Sequence, residues 1–137
     1  MSTWKSDSSV INENSPDAEL RLPADSAYLA VLRTATAGLA ARINFTLDDI
    51  EDLRIAVDEA CAILLPQARP ESELDCRFWL GQATMTVAVG ASCEDPQTPN
   101  EQGFAWRVLS ALTTFATSMV DGDRLVLTLS RSAGRHP

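Results

Sequence analysis

An acidic pair, Asp58-Glu59, lies at the centre of IEDLRIAVDEACAILL, residues 50–65. At about 100° per residue, these residues predict a helix with an apolar stripe. The stripe comprises Ile50, Leu53, Val57, Cys61 and Leu64. On a second side, Ile55 and Ile63 flank Glu59 one turn before and after it. A carboxylate among apolar side chains loses hydration unless it meets a partner or a polar ligand. The alternative is a solvated position at the rim of the helix, where Glu59 pairs with Arg54 or Arg69.

The cysteines and the histidine are the other residues whose side chains could do chemistry. Cys61, Cys76 and Cys93 are odd in number and lack CxxC or CxxH spacing, which disfavours a disulfide framework or a zinc site. Reduced thiols, as in a cytosolic protein, are the favoured interpretation, and a redox switch is the alternative. His136 is next to the C-terminus and is not expected to be catalytic. We therefore predict no metal site.

Composition narrows the class of protein. The chain has 137 residues, which suits one domain, and 45% of them are hydrophobic. Its net charge of −8 disfavours nucleic acid as the main ligand and favours a partner with basic patches. No apolar stretch approaches the roughly 20 residues of a membrane span. The N-terminus lacks the apolar core of a signal peptide, so the expected location is the cytoplasm.

Periodicity predicts the elements that must position these residues. The helix that carries Glu59 follows a Thr46–Asp49 capping box and ends at Pro66. The tripeptide GQA predicts a tight hairpin between two strands. A helix is predicted over residues 104–120, because Val108, Leu112, Phe115 and Met119 share helical spacing. The other predicted elements are a strand at 18–24, a helix at 25–43, strands at 74–80 and 84–91, a polar loop at 92–103 and a strand at 124–130.

The predicted order is β-α-α-β-β-α-β. Each strand is apolar on one face, which predicts an α+β fold: a two-layer sandwich with a mostly antiparallel sheet and helices on one face. Residues 1–16 are predicted to be a flexible segment, 17–131 a single domain and 132–137 a loose tail.

Three separated segments resemble one family, the RsbW-type anti-sigma factors. These are bacterial serine-protein kinases of the GHKL ATPase superfamily. The segment IEDLRIAVDEAC resembles their N-box helix, which usually reads E-A-C/V-T-N. ELRLPADSAYLAVLRTATAGLAARI resembles their first strand and helix, and GFAWRVLSAL is similar to actinobacterial members. The resemblance spans residues 18 to 131 and implies a GHKL, or Bergerat-like, fold.

The resemblance also implies a function. Such a protein, as a homodimer, binds a stress- or sporulation-type sigma factor and keeps it from RNA polymerase. A STAS-type anti-anti-sigma protein releases the sigma factor, and many members inactivate that competitor by phosphorylating a serine with ATP. Glu59 matches the family's general base. Arg33 matches an arginine that contacts the sigma factor, where it could pair bidentately with a carboxylate; without the resemblance, it reads as a solvated helix residue.

Departures from the family pattern fall on the nucleotide site. The asparagine that holds magnesium corresponds to Ile63, which offers no oxygen to a cation that requires oxygen ligands. The aspartate that reads adenine and the glycine two residues after it correspond to Gly90 and Ser92. Asp95 is a candidate for a displaced substitute, but its spacing does not fit the family pattern.

The family's phosphate lid is also altered. Its GxG pair is reduced to Gly103 and Ala105, and the loop at 92–103 is short for a lid. Each lost polar contact costs about 1–3 kcal/mol, so these changes together predict weak binding of ATP and magnesium. The favoured hypothesis is an anti-sigma factor with a degenerate kinase site. The alternatives are an active serine kinase that acts on the anti-anti-sigma protein, and a signalling scaffold with another partner.

Overall fold

The computed structural model describes residues 15–134, which form a five-stranded antiparallel sheet and three α-helices. The strand order is β1-β2-β3-β5-β4. The strands are β1 (Ala18–Pro23), β2 (Glu73–Leu80), β3 (Thr84–Ser92), β4 (Phe115–Asp121) and β5 (Arg124–Ser132), and the helices are α1 (Leu29–Ala40), α2 (Leu47–Leu64) and α3 (Phe104–Ala111). Residues 1–14 and 135–137, which include most of the two predicted terminal segments, lie outside the described residues.

The sheet has one face toward the helices and one away from them. Alternate residues of β3, namely Val87, Val89 and Ala91, join the core that also contains helix residues such as Leu53. On the opposite face, a small separate cluster contains Trp79, Ala88 and Val126. The predicted two-layer α+β fold, with helices on one face, is confirmed.

The first strand and helix form where the sequence predicts them. β1 is an edge strand, as Pro23 indicates, and β2 is its one paired strand among the described residues. The Asp25 side chain accepts a hydrogen bond from the backbone N–H of Ala27, at the start of a short 3-10 turn. α1 follows this turn and ends at Ala40. The predicted single helix is therefore a turn followed by a shorter helix.

A capping box starts α2, as predicted. The Thr46 hydroxyl accepts from the Asp49 N–H, and the Asp49 carboxylate accepts from the Thr46 N–H. The predicted apolar stripe packs inward, and Leu53, Cys61 and Leu64 are fully buried. α2 ends at Leu64, directly before a short 3-10 turn that contains Pro66.

A buried ion pair joins the start of α2 to strand β5. Asp49 is completely buried and Arg131 of β5 is 3% exposed. The Arg131 Nη2 donates to Asp49 Oδ1 at 2.9 Å, and its Nη1 donates to the carbonyl of Leu112 at 2.8 Å. Nη1 also lies 3.0 Å from Asp52 Oδ2. One guanidinium therefore holds together the start of α2, the end of α3 and the last strand.

The predicted helix over residues 104–120 is wrong in its second half. α3 ends at Ala111, and Phe115–Asp121 is strand β4, paired antiparallel with β5. Helical spacing was present, but Thr113, Thr114 and Thr117 are β-branched residues that suit a strand. Gly122, with φ of 65°, is the first residue of the two-residue Gly122-Asp123 turn that joins β4 to β5 in a hairpin. Phe115 is consequently 42% exposed instead of packing into the helical layer.

Candidate functional site

A groove lies between the start of α1 and the C-terminal half of α2. Its volume is about 690 Å³. Its charged residues are Arg33 and three carboxylates, Asp25, Asp58 and Glu59, while Leu29 and Leu65 give it an apolar wall. Further lining residues are Ala24, Ser26, Cys61, Ala62 and Pro66. The groove therefore joins charged groups to apolar surface, as sites that recognise a protein segment do.

Arg33 and Asp58 form an ion pair across this groove. The Arg33 Nε donates to Asp58 Oδ1 at 2.9 Å and to Oδ2 at 3.0 Å. The two side chains are 39% and 34% exposed, so the pair is accessible to a partner. Helical geometry brings them together because both helices turn these residues toward their shared boundary.

Glu59 lies beside this pair and is half-buried. The two arginines proposed as its partners from sequence contact other carboxylates. The Arg54 Nη1 donates to Glu51 at 2.9 Å, and Arg69 lies 3.7 Å from Asp123. Within residues 15–134, Glu59 has no ion pair. Its carboxylate is therefore available to a ligand or to water.

Cys61 borders the groove but is not a reactive thiol. It is fully buried, and this burial, with a smaller effect of the Asp58 carboxylate, raises its pKa to about 12. Burial likewise raises the pKa values of Cys76 and Cys93. Because the thiolate is the reactive form, these environments favour unreactive thiols over a redox switch.

The structure separates the residues that the family pattern assigns to the nucleotide. Ile63 follows Glu59 by one turn of α2 and is partly buried against the core. Gly90 and Ser92 belong to the alternate set of β3 residues that faces away from the helices. They are thus on the opposite side of the sheet from Glu59. The helix-facing residues at that level are Ala91 and Cys93, which carry no carboxylate.

The close approach of Arg124 explains why a glycine occupies position 90 on that outer face. Arg124 of β5 reaches across it and donates from Nη2 to Asp75 of β2 at 3.0 Å. A Cβ on Gly90 would lie 2.9 Å from that Nη2 atom and 3.1 Å from a methyl group of Val126. The glycine therefore leaves room for an ion pair that spans three strands.

The loop at 92–103 is fastened to the end of α2. The Gln67 side chain accepts from the Gln97 N–H at 2.7 Å and donates to the Gln97 carbonyl at 3.1 Å. The Gln67 Nε2 atom is also 3.3 Å from the Ile63 carbonyl oxygen. Asp95 is exposed in this fastened loop. This reciprocal contact was not predictable from the sequence, because glutamine pairs have no periodic pattern.

The residues after this loop lead into α3. Gly103 is the N-cap of α3, and a Cβ there would lie 3.1 Å from the Asn100 carbonyl oxygen. Ala105 lies in the first turn of α3, which packs against α2. Gly103 and Ala105 are therefore near the helical layer, unlike Gly90 and Ser92.

These positions fit a magnesium–ATP group poorly. Ile63 supplies no oxygen ligand, and no carboxylate from β3 faces the helical layer. Among residues 15–134, no group of three or more His, Cys, Asp or Glu side chains could hold a metal ion. Asp58, which was not assigned a role from sequence, is the carboxylate that pairs with Arg33 in the groove.

Comparison with known proteins assigns this domain to a family. Residues 22–112 match the model of the histidine kinase-like ATPase domain. The serine-protein kinase RsbW of Bacillus cereus is 43% identical over 73 residues, and that of Bacillus velezensis is 36% identical over 74 residues. Each alignment covers 52% of this chain and 46% of the relative, so the match spans about half of those proteins.

A solved structure supports the fold. It contains the RsbU and RsbW domains of a Mycobacterium tuberculosis protein, and superposes with a TM-score of 0.61 at 17% identity. The superposition covers 85% of this chain and 33% of the solved chain. The chain belongs to the histidine kinase-like ATPase domain family. Within that family, the resemblance to RsbW-type proteins drawn from the sequence is confirmed.

No α-helix among the described residues is both long and apolar enough to cross a membrane.

Proposed function

We propose that this protein is an anti-sigma factor that binds and sequesters an alternative RNA polymerase sigma factor of the stress or sporulation type. The observation that carries the proposal is a contrast between two sites. The groove beside Arg33 is formed and accessible, whereas the residues assigned to nucleotide lie on both faces of the sheet. Glu59 lines the groove as well, but Gly90 and Ser92 lie on the other face of the sheet, so the geometry supports a protein contact better than ATP binding.

The proposed partner contact centres on Arg33. A guanidinium recognises a carboxylate through two parallel N–H donors, which suits an acidic residue of the sigma factor. Leu29 and Leu65 offer apolar surface on the same groove. A STAS-type anti-anti-sigma protein would compete for this region and release the sigma factor. The protein acts in the cytoplasm, where the polymerase is found.

The test is complex formation without nucleotide. We expect the protein, mixed with each alternative sigma factor of its own organism in turn, to elute as a complex with one of them in gel filtration. Arg33→Ala should weaken the complex at least tenfold, because it removes the bidentate donor. Arg42→Ala is the matched control, since Arg42 is an exposed arginine just beyond the C-terminal end of the same helix. Absence of a complex, or equal effects of the two substitutions, would contradict the proposal.

A second candidate function is an ATP-dependent serine kinase that phosphorylates the anti-anti-sigma protein. The observation that favours it is Glu59, which lines the groove and has no ion-pair partner among residues 15–134. As general base, Glu59 would take the proton of the attacking serine. Transfer of radiolabel from ATP that Glu59→Gln abolishes would support this function. Calorimetry that detects no ATP binding would exclude it.

We also propose that the protein is a homodimer formed through β1 and α1, as the family resemblance implies. β1 is an edge strand whose outer side has no paired strand within the described residues. α1 exposes Val31 at 47%. Light scattering should give twice the mass of one chain, and a monomer mass at all concentrations would contradict the dimer.

A further inference from the structure

Among residues 15–134, Arg33 makes hydrogen bonds through only one of its nitrogen atoms, Nε. Its Nε contacts both oxygens of Asp58, and among residues 15–134 neither Nη atom has a hydrogen-bond acceptor. The guanidinium is planar, so fixing the Nε edge also fixes the direction of the Nη edge. Asp58 therefore holds the arginine in one orientation and leaves its bidentate edge open.

Stability does not explain this pair. The side chains are 39% and 34% exposed, and accessible ion pairs contribute little to folding because water screens them. The pair between Asp49 and Arg131 differs, since its side chains are at most 3% exposed. The Asp49–Arg131 pair thus lies in the core, whereas the Arg33–Asp58 pair lines an accessible groove.

A flexible arginine loses rotamer freedom when it binds a partner, and this loss weakens binding. An arginine that is already held in place has lost that freedom before the partner arrives. Asp58 has an opposing effect, because its negative charge repels an incoming carboxylate. That repulsion acts across a solvated groove, where high dielectric and salt reduce it. We expect the gain in orientation to exceed the repulsion.

We propose that Asp58 is a positioning residue, which orients Arg33 to receive a carboxylate of the partner protein. This inference rests on the proposed function and adds a determinant of specificity to the same groove. The partner segment it selects carries an acidic residue for Arg33, next to apolar side chains that pack on Leu29 and Leu65. The nearby Glu59 carboxylate would disfavour a segment with a second acid.

A double-mutant cycle tests the role. The dissociation constant for the sigma factor is measured for the wild type, Asp58→Asn, Arg33→Ala and the double variant, at low and high salt. Asp58→Asn should bind about three- to tenfold more weakly, the range expected for one freed long side chain. It should cause no further loss when Arg33 is alanine. The thermal midpoint should be unchanged, because the pair is accessible.

Glu51→Gln is the matched control. It removes one carboxylate from the same helix, where Glu51 pairs with Arg54 and is 57% exposed. We expect its affinity to remain within twofold of the wild type. The inference is overturned if Asp58→Asn binds as well as the wild type, binds more tightly, or loses equal affinity with and without Arg33. Such results leave the proposed function standing when Arg33→Ala still weakens binding; if the wild type forms no complex, the proposed function itself fails.

Discussion

Replacing Asp49 with asparagine should reveal how much of the fold depends on one buried ion pair. The substitution preserves shape but leaves the Arg131 guanidinium, 3% exposed, without its main counter-charge. Breaking a buried pair in this way costs about 3–5 kcal/mol. Two partners of Arg131 survive, namely Asp52 and the Leu112 carbonyl, so we expect the lower end, about 3 kcal/mol.

The pH dependence provides a second measure of the same pair. Burial alone would raise the pKa of Asp49, but hydrogen bonds from Thr46 and Arg131 outweigh it and lower the pKa from 3.8 to about 2. The folded state therefore favours the charged form. The resulting stabilisation is about 2 kcal/mol, is present above about pH 4 and is lost as the pH falls toward 2.

The assay is urea denaturation followed by circular dichroism, from pH 2 to pH 7. Asp48→Asn is the control, because Asp48 lies one residue earlier in the same first turn but is exposed. It should change the free energy of unfolding by at most about 1 kcal/mol, the contribution of a charge at a helix N-terminus. If Asp49→Asn is no more destabilising than Asp48→Asn, or if both variants show the wild-type acid dependence, the reasoning is refuted.

Three further predictions concern the glycines, the Gln67 contact and the buried cysteines. Gly90→Ala should lower the free energy of unfolding by about 1 kcal/mol, because its Cβ displaces Arg124. Gly38→Ala should raise the free energy of unfolding by up to about 1 kcal/mol, since a Cβ there meets nothing within 4 Å. Equal urea midpoints for these two variants would contradict both expectations. Gln67→Ala should speed amide hydrogen exchange in the loop at 92–103 by at least threefold, and unchanged exchange would show that the side chain does not fasten it. The three cysteines, all buried, should resist a thiol reagent at pH 8 until urea unfolds the chain, and rapid labelling of the folded protein would contradict their raised pKa values.

Local patterns predicted much of the fold. The capping box at Thr46, the apolar stripe of α2 and the GQA hairpin each depend on residues close in sequence, and all three are confirmed. The prediction for 104–120 was wrong because the apolar spacing fits a helix, while the threonines of the segment and the Gly122-Asp123 turn after it favour a strand and a hairpin. The turn residues after β4 were the stronger indication of its secondary structure.

The site was less predictable, because it depends on contacts between distant residues. Arg33 and Asp58 are 25 positions apart in sequence and lie on two different helices. The nucleotide role of Gly90 came from the family pattern alone, whereas alternation with Val87 and Val89 along β3 puts it on the opposite face of the sheet. The predicted role of Glu59 as a general base stays a prediction, as does the sigma contact of Arg33.

The affinity for the sigma factor, measured by calorimetry with no nucleotide and again with saturating ATP and magnesium, tests the central claim most directly. Because Ile63 supplies no metal ligand and Gly90 faces away from the helices, we expect the two dissociation constants to agree within twofold, with no heat of ATP binding to the free protein. Complex formation that requires magnesium and ATP would contradict the claim that protein contacts alone carry the function.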